Sequence, residues 1–185
     1  MSDSLSAVRV LDTARLHLRT VRRSDLEQIY QLHSDSRAMR YWSFAPWSEM
    51  QQAQDWFEQR RRLGEREEVW PWAITLAGAD ELIGIVTLFA INRGQQRAET
   101  GYQLHPSMWG QGYAQEALRA VLGHGFDALD LRRIEADIDP RNEASCKLVE
   151  RMGFQREGYL RERWHVNGEI TDTALYGLLR RDFVR

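Results

Sequence analysis

The chain has 185 residues, of which 43% are hydrophobic and 28% charged, with a formal net charge of −2. That length favours one domain whose core needs no disulfide or metal staple, and the near-neutral charge gives no electrostatic reason to expect nucleic acid as a partner. A single cysteine, Cys146, excludes an intrachain disulfide, and five histidines without paired ligand spacing argue against a metal site. Met1 to Ala7 carries no secretory core segment, and no run of about eighteen apolar residues exists. A cytoplasmic protein without membrane contact is expected. Lys147 is the one lysine among 25 basic residues, which fits either genomic composition or anion recognition by guanidinium groups.

Residues 1–12 read as a loose lead-in. Leu16 and Leu18 then alternate with His17 and Arg19, the pattern of a half-buried strand. Ser24 and Asp25 are N-cap chemistry for a helix with Leu26, Ile29, Tyr30 and His33 on one side. Residues 34–47 are irregular and aromatic, with Tyr41, Trp42, Phe44 and Trp47. Ser48 with Gln51 fits a capping box for a helix that turns Ala53, Trp56 and Phe57 inward and ends near Gly64. Trp70, Trp72, Ile74 and Leu76 alternate, and Leu82 to Ile91 is the nearly unbroken apolar run of a central strand. After a turn at Arg93 to Gln96, Glu99 to Leu104 completes an antiparallel meander. From Gly112, Ala114, Ala117, Leu118, Val121 and Leu122 recur at helical spacing. Ile134, Ala136 and Ile138 alternate with Glu135, Asp137 and Asp139 in a further strand. Asn142 opens a helix expected to bury Ala144, Leu148 and Met152 and to stop at Gly153. Phe154–Trp164 and Thr171–Leu179 pair around Asn167-Gly168, a hairpin turn. The order β-α-α-β-β-β-α-β-α-β-β predicts one α/β (α+β) domain over residues 1–185 with a mixed sheet.

The informative segment is Trp109-Gly110-Gln111-Gly112-Tyr113-Ala114, between a strand and a helix. Glycines let main-chain N–H groups converge without a Cβ in the way. The first turn of a helix adds unpaired donors and a positive dipole end, together a site for a pyrophosphate. A Walker loop is excluded because no Gly-x-x-x-x-Gly-Lys-Ser/Thr occurs, and the spacing disfavours a dinucleotide fingerprint. Taken alone, the segment is equally a glycine-rich turn.

Ala98 to Pro106, the run Trp109 to Leu118, Asn142 to Ser145 and Glu150 to Phe154 together resemble the GNAT acetyltransferase family, most closely its RimJ/RimL-like branch of ribosomal-protein N-terminal acetyltransferases. The resemblance extends from Ala14-Arg15-Leu16-His17-Leu18-Arg19 to the final strand. It implies a mostly antiparallel twisted sheet of about seven strands with about four helices, splayed between the fourth and fifth strands. It also implies acetyl-CoA as co-substrate and no metal. In the family signature Gln/Arg-x-x-Gly-x-Gly/Ala, Gly112 and Ala114 match and Trp109 replaces the first residue. By this resemblance the amides of Gly110, Gln111, Gly112, Tyr113 and Ala114 cradle the pyrophosphate, the main chain around Leu104 and His105 pairs with the pantetheine arm, and Asn142 contacts CoA. A homodimer is compatible with this branch.

Acetyl transfer needs a neutral amine, yet with a pKa near ~10 roughly one alkyl amine in a thousand is unprotonated at pH 7. Glu99 falls where some family members place a catalytic glutamate, and alternation puts Glu99, Gly101, Gln103 and His105 on one face. A surface carboxylate paired with an arginine is the competing reading for Glu99. His105 and then Asp137 or Asp139 are further base candidates. Many family members carry a tyrosine four residues after Ser145; here that position is Val149. Ser145, on the same helix face, is therefore the candidate donor to the leaving thiolate and a CoA contact. Cys146 reads as a small hydrophobe. Trp56 and Trp70 read as core, whereas Trp42 and Trp47 are divided between core and acceptor pocket; Gln103 joins Trp42 and Trp47 as substrate-binding candidates. The expected activity is acetylation of a protein or peptide N-terminal amine. The alternatives are acetylation of a polyamine, aminoglycoside or amino acid, or a non-catalytic acyl-CoA sensor.

Overall fold

The computed structural model describes Leu5 and residues 8–184. Strands β1 (Leu11–Asp12), β2 (Leu16–Thr20), β3 (Val69–Leu76), β4 (Gly84–Asn92), β5 (Arg97–Leu104), β6 (Arg133–Ile138), β7 (Gln155–Val166) and β8 (Glu169–Leu179) form one sheet in the order β1-β2-β3-β4-β5-β6-β8-β7. All neighbours are antiparallel except β5 and β6. Helices α1 (Leu26–Ser34) and α2 (Met50–Glu65) cover one face, and α3 (Tyr113–Asp127) and α4 (Glu143–Arg151) the other.

Side-chain alternation in the sheet explains the two cores. Trp72 and Ile74 of β3 with Val86 and Leu88 of β4 pack beneath Leu118 and Leu122 of α3. The intervening Ala73 and Ile85 face Ile29 and Leu32 of α1 and Phe57 of α2. The central strands are thus buried on both faces, which accounts for their unbroken apolar runs.

Several local expectations shift. Among the described residues the sheet has eight strands rather than about seven, because Leu11–Asp12, expected within a loose lead-in, pairs with Leu18 and His17. In the same region Leu5 is buried and its N–H donates to the Val21 carbonyl at 2.9 Å; Met1–Ser4, Ser6 and Ala7 lie outside the described residues. The capping box of α2 sits one residue later than expected, with Glu49 and Gln52 rather than Ser48 and Gln51. The helix expected from Ser24 begins at Leu26, because Asp25 is used elsewhere. Its carboxylate accepts the Arg22 N–H at 2.7 Å and grips buried Arg19 at 2.8 and 2.9 Å. Asp80 holds the same guanidinium from the other side, its carboxylate accepting Arg19 Nε at 2.8 Å, so Arg19 sits between two carboxylates.

Helix α4 is rotated from the expected face. Val149 and Met152 are fully buried and Ser145 and Cys146 half-buried, whereas Ala144 is exposed and Leu148 only half-buried. The apolar stripe follows 145, 146, 149 and 152, an i, i+1, i+4, i+7 pattern that the polar Ser145 disguised. Gly153 closes the helix as expected, with φ +96°; a Cβ there would meet the Asp182 carbonyl oxygen at 2.5 Å.

The arrangement of β5 and β6 positions the site. They pair in parallel over Arg97↔Arg133, Ala98↔Ile134 and Glu99↔Glu135, and no further. Beyond Glu99, β5 stays with β4 as far as Gly84↔Leu104, while β6 follows β8 to Ile138↔Ala174. A slit opens between them. The His105 N–H donates to the Ile83 carbonyl at 2.9 Å. By the alternation of an antiparallel ladder, the main-chain groups of Tyr102 and Leu104 turn to the slit.

Candidate active site

At one end of the slit the chain leaves β5, makes a short turn and enters α3. Gly110 and Gly112 hold φ +74° and +81°, left-handed conformations that side chains resist. Gly112 is the N-cap of α3, and among the described residues no side chain caps the first turn. The turn therefore offers uncapped N–H donors at the positive end of a helix, and a Cβ at Gly110 would meet nothing within 4 Å. A diphosphate fits these donors. Arg15 flanks the turn: it donates to the Gln111 carbonyl at 2.9 Å, lies 4.6 Å over the Tyr113 ring and pairs with Glu116 at 2.6 Å. Trp109 turns back, and its indole N–H donates to the Leu104 carbonyl at 2.9 Å. The carbonyl assigned to the pantetheine arm thus already has one donor, with a second lone pair left over.

The other end of the slit opens into a cavity of about 510 Å³. Glu99, Gly101 and Gln103 line it from one face of β5 and Thr100 and Tyr102 from the other; β6 contributes Asp137. Both faces of one strand reach one cavity because the β5 edge is open here. Asn142 and Ser145 of α4 close one wall, and Trp42, Phe44 and Trp56 another.

Glu99 has no hydrogen bond or ion pair among the described residues. Burial first, then the Glu135 and Asp137 carboxylates, push its pKa up from the ordinary value against weaker pulls from Arg97 and Arg163. A carboxylate raised in this way is a better base near neutrality. Tyr102 offers the complement. Its hydroxyl is buried with no hydrogen-bond partner among the described residues, and burial pushes its pKa up to about 12. Ser145 lies near enough to oppose that shift but outside hydrogen-bonding geometry. A phenol kept protonated beside a polar slit is a donor without an acceptor.

The cavity brings together Glu99, Gln103, Asn142, Ser145, Trp42, Asp137 and Asp139. Asn142 also caps α4, its Oδ1 accepting the Ser145 N–H at 3.2 Å. Asp137 accepts from Thr173 at 2.8 Å, and Asp139 is gripped by Arg141 at 2.6 Å. Leu104, His105 and the Trp109 to Ala114 turn lie outside the cavity. His105 binds Ser107 through Nδ1 at 2.7 Å and caps the turn before Trp109. Trp47 does not reach the cavity either; it is buried and stacked on His33 at 4.1 Å between ring centroids. Trp56, read as core, is half-buried and lines the cavity. Sequence reasoning missed Tyr102 and Arg60. Alternation places Tyr102 on the face opposite Glu99; the splay that the resemblance implies opens the edge, but which side chains of the far face reach it depends on where the β5–β6 pairing stops, at Glu99↔Glu135. Arg60 carried a signal: with Ala53, Trp56 and Phe57 it completes an i, i+3, i+4, i+7 stripe where an apolar residue belongs.

Known proteins share this architecture. The acetyltransferase (GNAT) domain profile matches residues 15–155. The chain is 34% identical over 173 residues to the uncharacterised N-acetyltransferase p20 of Bacillus licheniformis, across 94% of this chain and 97% of that one. Spermidine N-acetyltransferase from Vibrio cholerae, solved with CoA and spermine, superposes with a TM-score of 0.84 at 25% identity, covering 94% of this chain and 100% of that one. The ribosomal L7/L12 α-N-protein acetyltransferase RimL, solved with coenzyme A, shares the fold at a TM-score of 0.82 and 22% identity, over 92% of this chain and 98% of that one. With the splayed sheet and the uncapped glycine turn in place, the chain belongs to the GNAT acetyltransferases and takes its acetyl group from acetyl-CoA.

Proposed function

We propose that this chain moves the acetyl group directly onto a primary amine in a ternary complex, and that the amine is the N-terminal α-amine of a peptide or protein. One observation carries the reading: a single slit joins an uncapped helix turn suited to a diphosphate with a cavity that holds an unpaired, pKa-raised glutamate. Acetyl-CoA enters along the open edge of β5, its diphosphate on the amides of residues 110–114. The acceptor enters the cavity.

Glu99, directly or through a water beside Gly101, takes the proton from the incoming ammonium. The neutral nitrogen attacks the thioester carbon and the carbonyl oxygen becomes an oxyanion. Main-chain donors turned to the slit, such as the Tyr102 N–H, suit that charge. The C–S bond then breaks, the electron pair leaves on sulfur, and Tyr102, with Ser145 beside it, donates the hydrogen bond or proton that releases CoA as its thiol. Val149, at the position of the family tyrosine, is fully buried in the core, so the phenol comes from the opposite wall. Replacing Tyr102 with phenylalanine should lower kcat by roughly ten- to a hundredfold, the worth of a hydrogen bond to a charged group. It should leave acetyl-CoA affinity and the thermal midpoint intact, because the hydroxyl satisfies nothing in the fold.

A second reading is a small amine such as a polyamine, favoured by the acidic groups Glu99, Asp137 and Asp139 on the cavity wall and by the spermine complex of the Vibrio cholerae relative. Thiol release from acetyl-CoA, followed with peptides, polyamines and aminoglycosides in parallel, separates the two. The peptide reading is lost if only polyamines turn over; the enzymatic one is lost if Glu99→Gln leaves turnover untouched.

A further inference from the structure

Besides Glu99 and Tyr102, two groups in the acceptor cavity carry an unmet charge or lone pair among the described residues, one a cation and one an acceptor. Arg60, one turn after Trp56 on α2, lines the cavity but makes no ion pair or hydrogen bond among the described residues. Its guanidinium carbon lies 5.4 Å from the Trp56 ring centroid. Carboxylates nearby along α2 are committed elsewhere: Glu58 binds Arg23 and Arg61, and Glu65 binds Arg61. A hollow on its far side contains Glu68 and Arg97; Glu68 is not paired with Arg60, and Arg97 is bound to Glu135. Burial alone acts on the Arg60 guanidinium, pushing its pKa down with no carboxylate to oppose the shift. An unpaired, half-desolvated cation costs the fold free energy. The second group is Gln103, only 6% exposed. Its Nε2 donates to the Leu32 carbonyl at 3.2 Å, which leaves a buried Oε1 with nothing to accept.

We propose that Arg60 anchors a carboxylate on the acceptor, so that the substrate is a primary amine bearing an anionic group rather than a polycation. The inference rests on the amine reacting at Glu99. The charges felt at Glu99 are those of Glu135, Asp137, Arg97 and Arg163, whereas Arg60 is felt at His33. The cavity therefore carries its carboxylates at Glu99 and Asp137 and its unpaired cation on α2, beside Trp56. An ammonium at Glu99, with Gln103 Oε1 available to an N–H, and a carboxylate in the guanidinium fork satisfy both ends. A polyamine would set a second ammonium against Arg60. The carboxylate has two sources, the C-terminus of an amino acid or short peptide and an acidic side chain next to the N-terminus of a longer chain.

The test is calorimetric, with thiol release from acetyl-CoA followed in parallel. Alanyl-phenylalanine is titrated against its C-terminal amide, and alanyl-glutamate amide against alanyl-glutamine amide, into the wild-type chain, Arg60→Gln and Arg60→Lys. The carboxylate should bind about tenfold or more tightly than its neutral partner in at least one pair, as a charge-assisted fork requires. The pair that responds identifies the source. Arg60→Gln should abolish the preference and Arg60→Lys keep part of it. Both variants should hold the thermal midpoint to within the small worth of the Trp56 contact, since no ion pair or hydrogen bond among the described residues is lost. Equal affinities in both pairs, or a preference that survives Arg60→Gln, would overturn the proposal, and so would unfolding of both variants, which would make Arg60 structural. A carboxylate preference without any thiol release would support the anchor and defeat the acetyl-transfer reading.

Discussion

The two ends of the slit are built from different materials. The end proposed for acetyl-CoA, the donor end, is main chain: a glycine turn, the first amides of α3 and the open edge of β5. The end proposed for the amine, the acceptor end, is side chain, drawn from α1, the irregular segment after it, α2, β5, β6 and α4. Main-chain chemistry depends on a few contiguous residues whose conformation a motif can encode. Side-chain chemistry depends on which distant segments the fold brings together. The donor end should therefore respond to changes of backbone conformation, and the acceptor end to changes of single functional groups.

The largest expected effect tests that division at the junction. Glu99→Gln should lower kcat by about 10²–10⁴-fold, the usual contribution of a positioned base, with acetyl-CoA affinity unchanged. The pH profile sharpens the test. The pKa of Glu99 is raised by burial and by the Glu135 and Asp137 carboxylates, so activity should fall with acid through a pKa above the ordinary 4.5. A carboxyl raised in the folded state binds its proton more tightly there, so its contribution to stability is fully present below the unfolded value and lost as pH rises through the folded one. Glu99→Gln should accordingly be more stable than wild type at pH 7, an advantage that disappears below pH 4.5, as paired denaturant titrations would show.

At the donor end the counterpart is Gly112→Val. A β-branched residue resists φ +81°, and the turn would have to move its amides. Losing two hydrogen bonds to a charged diphosphate, about 1.5–3 kcal/mol each, weakens acetyl-CoA binding by upwards of a hundredfold. Thermal stability should change far less, because the turn is exposed. Unchanged affinity by calorimetry would remove the main-chain cradle from the scheme.

Acid separates the ends again. His33 is buried between Trp47 and the cavity, its Nδ1 donating to the Ile29 carbonyl at 2.9 Å. Burial, with Arg60 nearby, pushes its pKa from 6.5 down to about 4. The unfolded chain therefore binds the proton first, and stability falls as pH drops from 6.5 towards 4, by on the order of 3 kcal/mol. His33→Phe should flatten that part of the acid limb in urea titrations. In wild type, acceptor binding should weaken with acid before acetyl-CoA affinity does.

The same contrast governs what the sequence could reveal. The fold was largely legible because period-2 and period-3.6 patterns, Asn167-Gly168 and Gly153 each encode local geometry. Where it slipped, a tertiary demand had taken over a local signal: Asp25 grips Arg19 and closes the turn at Arg22 instead of capping α1, and polar Ser145 lies on the packed side of α4. The left-handed turn before α3 could be read from Gly110 and Gly112. Tyr102 could not, because strand alternation assigns each residue one face, and the splay implied by the family resemblance did not say at which residue β6 leaves β5. Arg60 stood in the apolar stripe of α2, but its lack of a partner exists only in three dimensions.

Trp42 and Trp47 bring the comparison down to one segment, where composition gave them equal claims. Trp47 is 9% exposed and stacked on His33. Trp42 is half-buried, meets Phe44 edge-on at 5.5 Å and faces the cavity. Trp42→Ala should raise the acceptor KM by about fivefold, close to the ~1 kcal/mol of an aromatic contact. Acetyl-CoA affinity and kcat should stay near wild type, because neither the donor turn nor the proton carriers touch this ring. If Trp42→Ala instead lowered the thermal midpoint steeply and left KM alone, the ring would belong to the α1–α2 core. The wall opposite β5 would then be scaffold, and acceptor recognition would fall to Gln103 and Arg60.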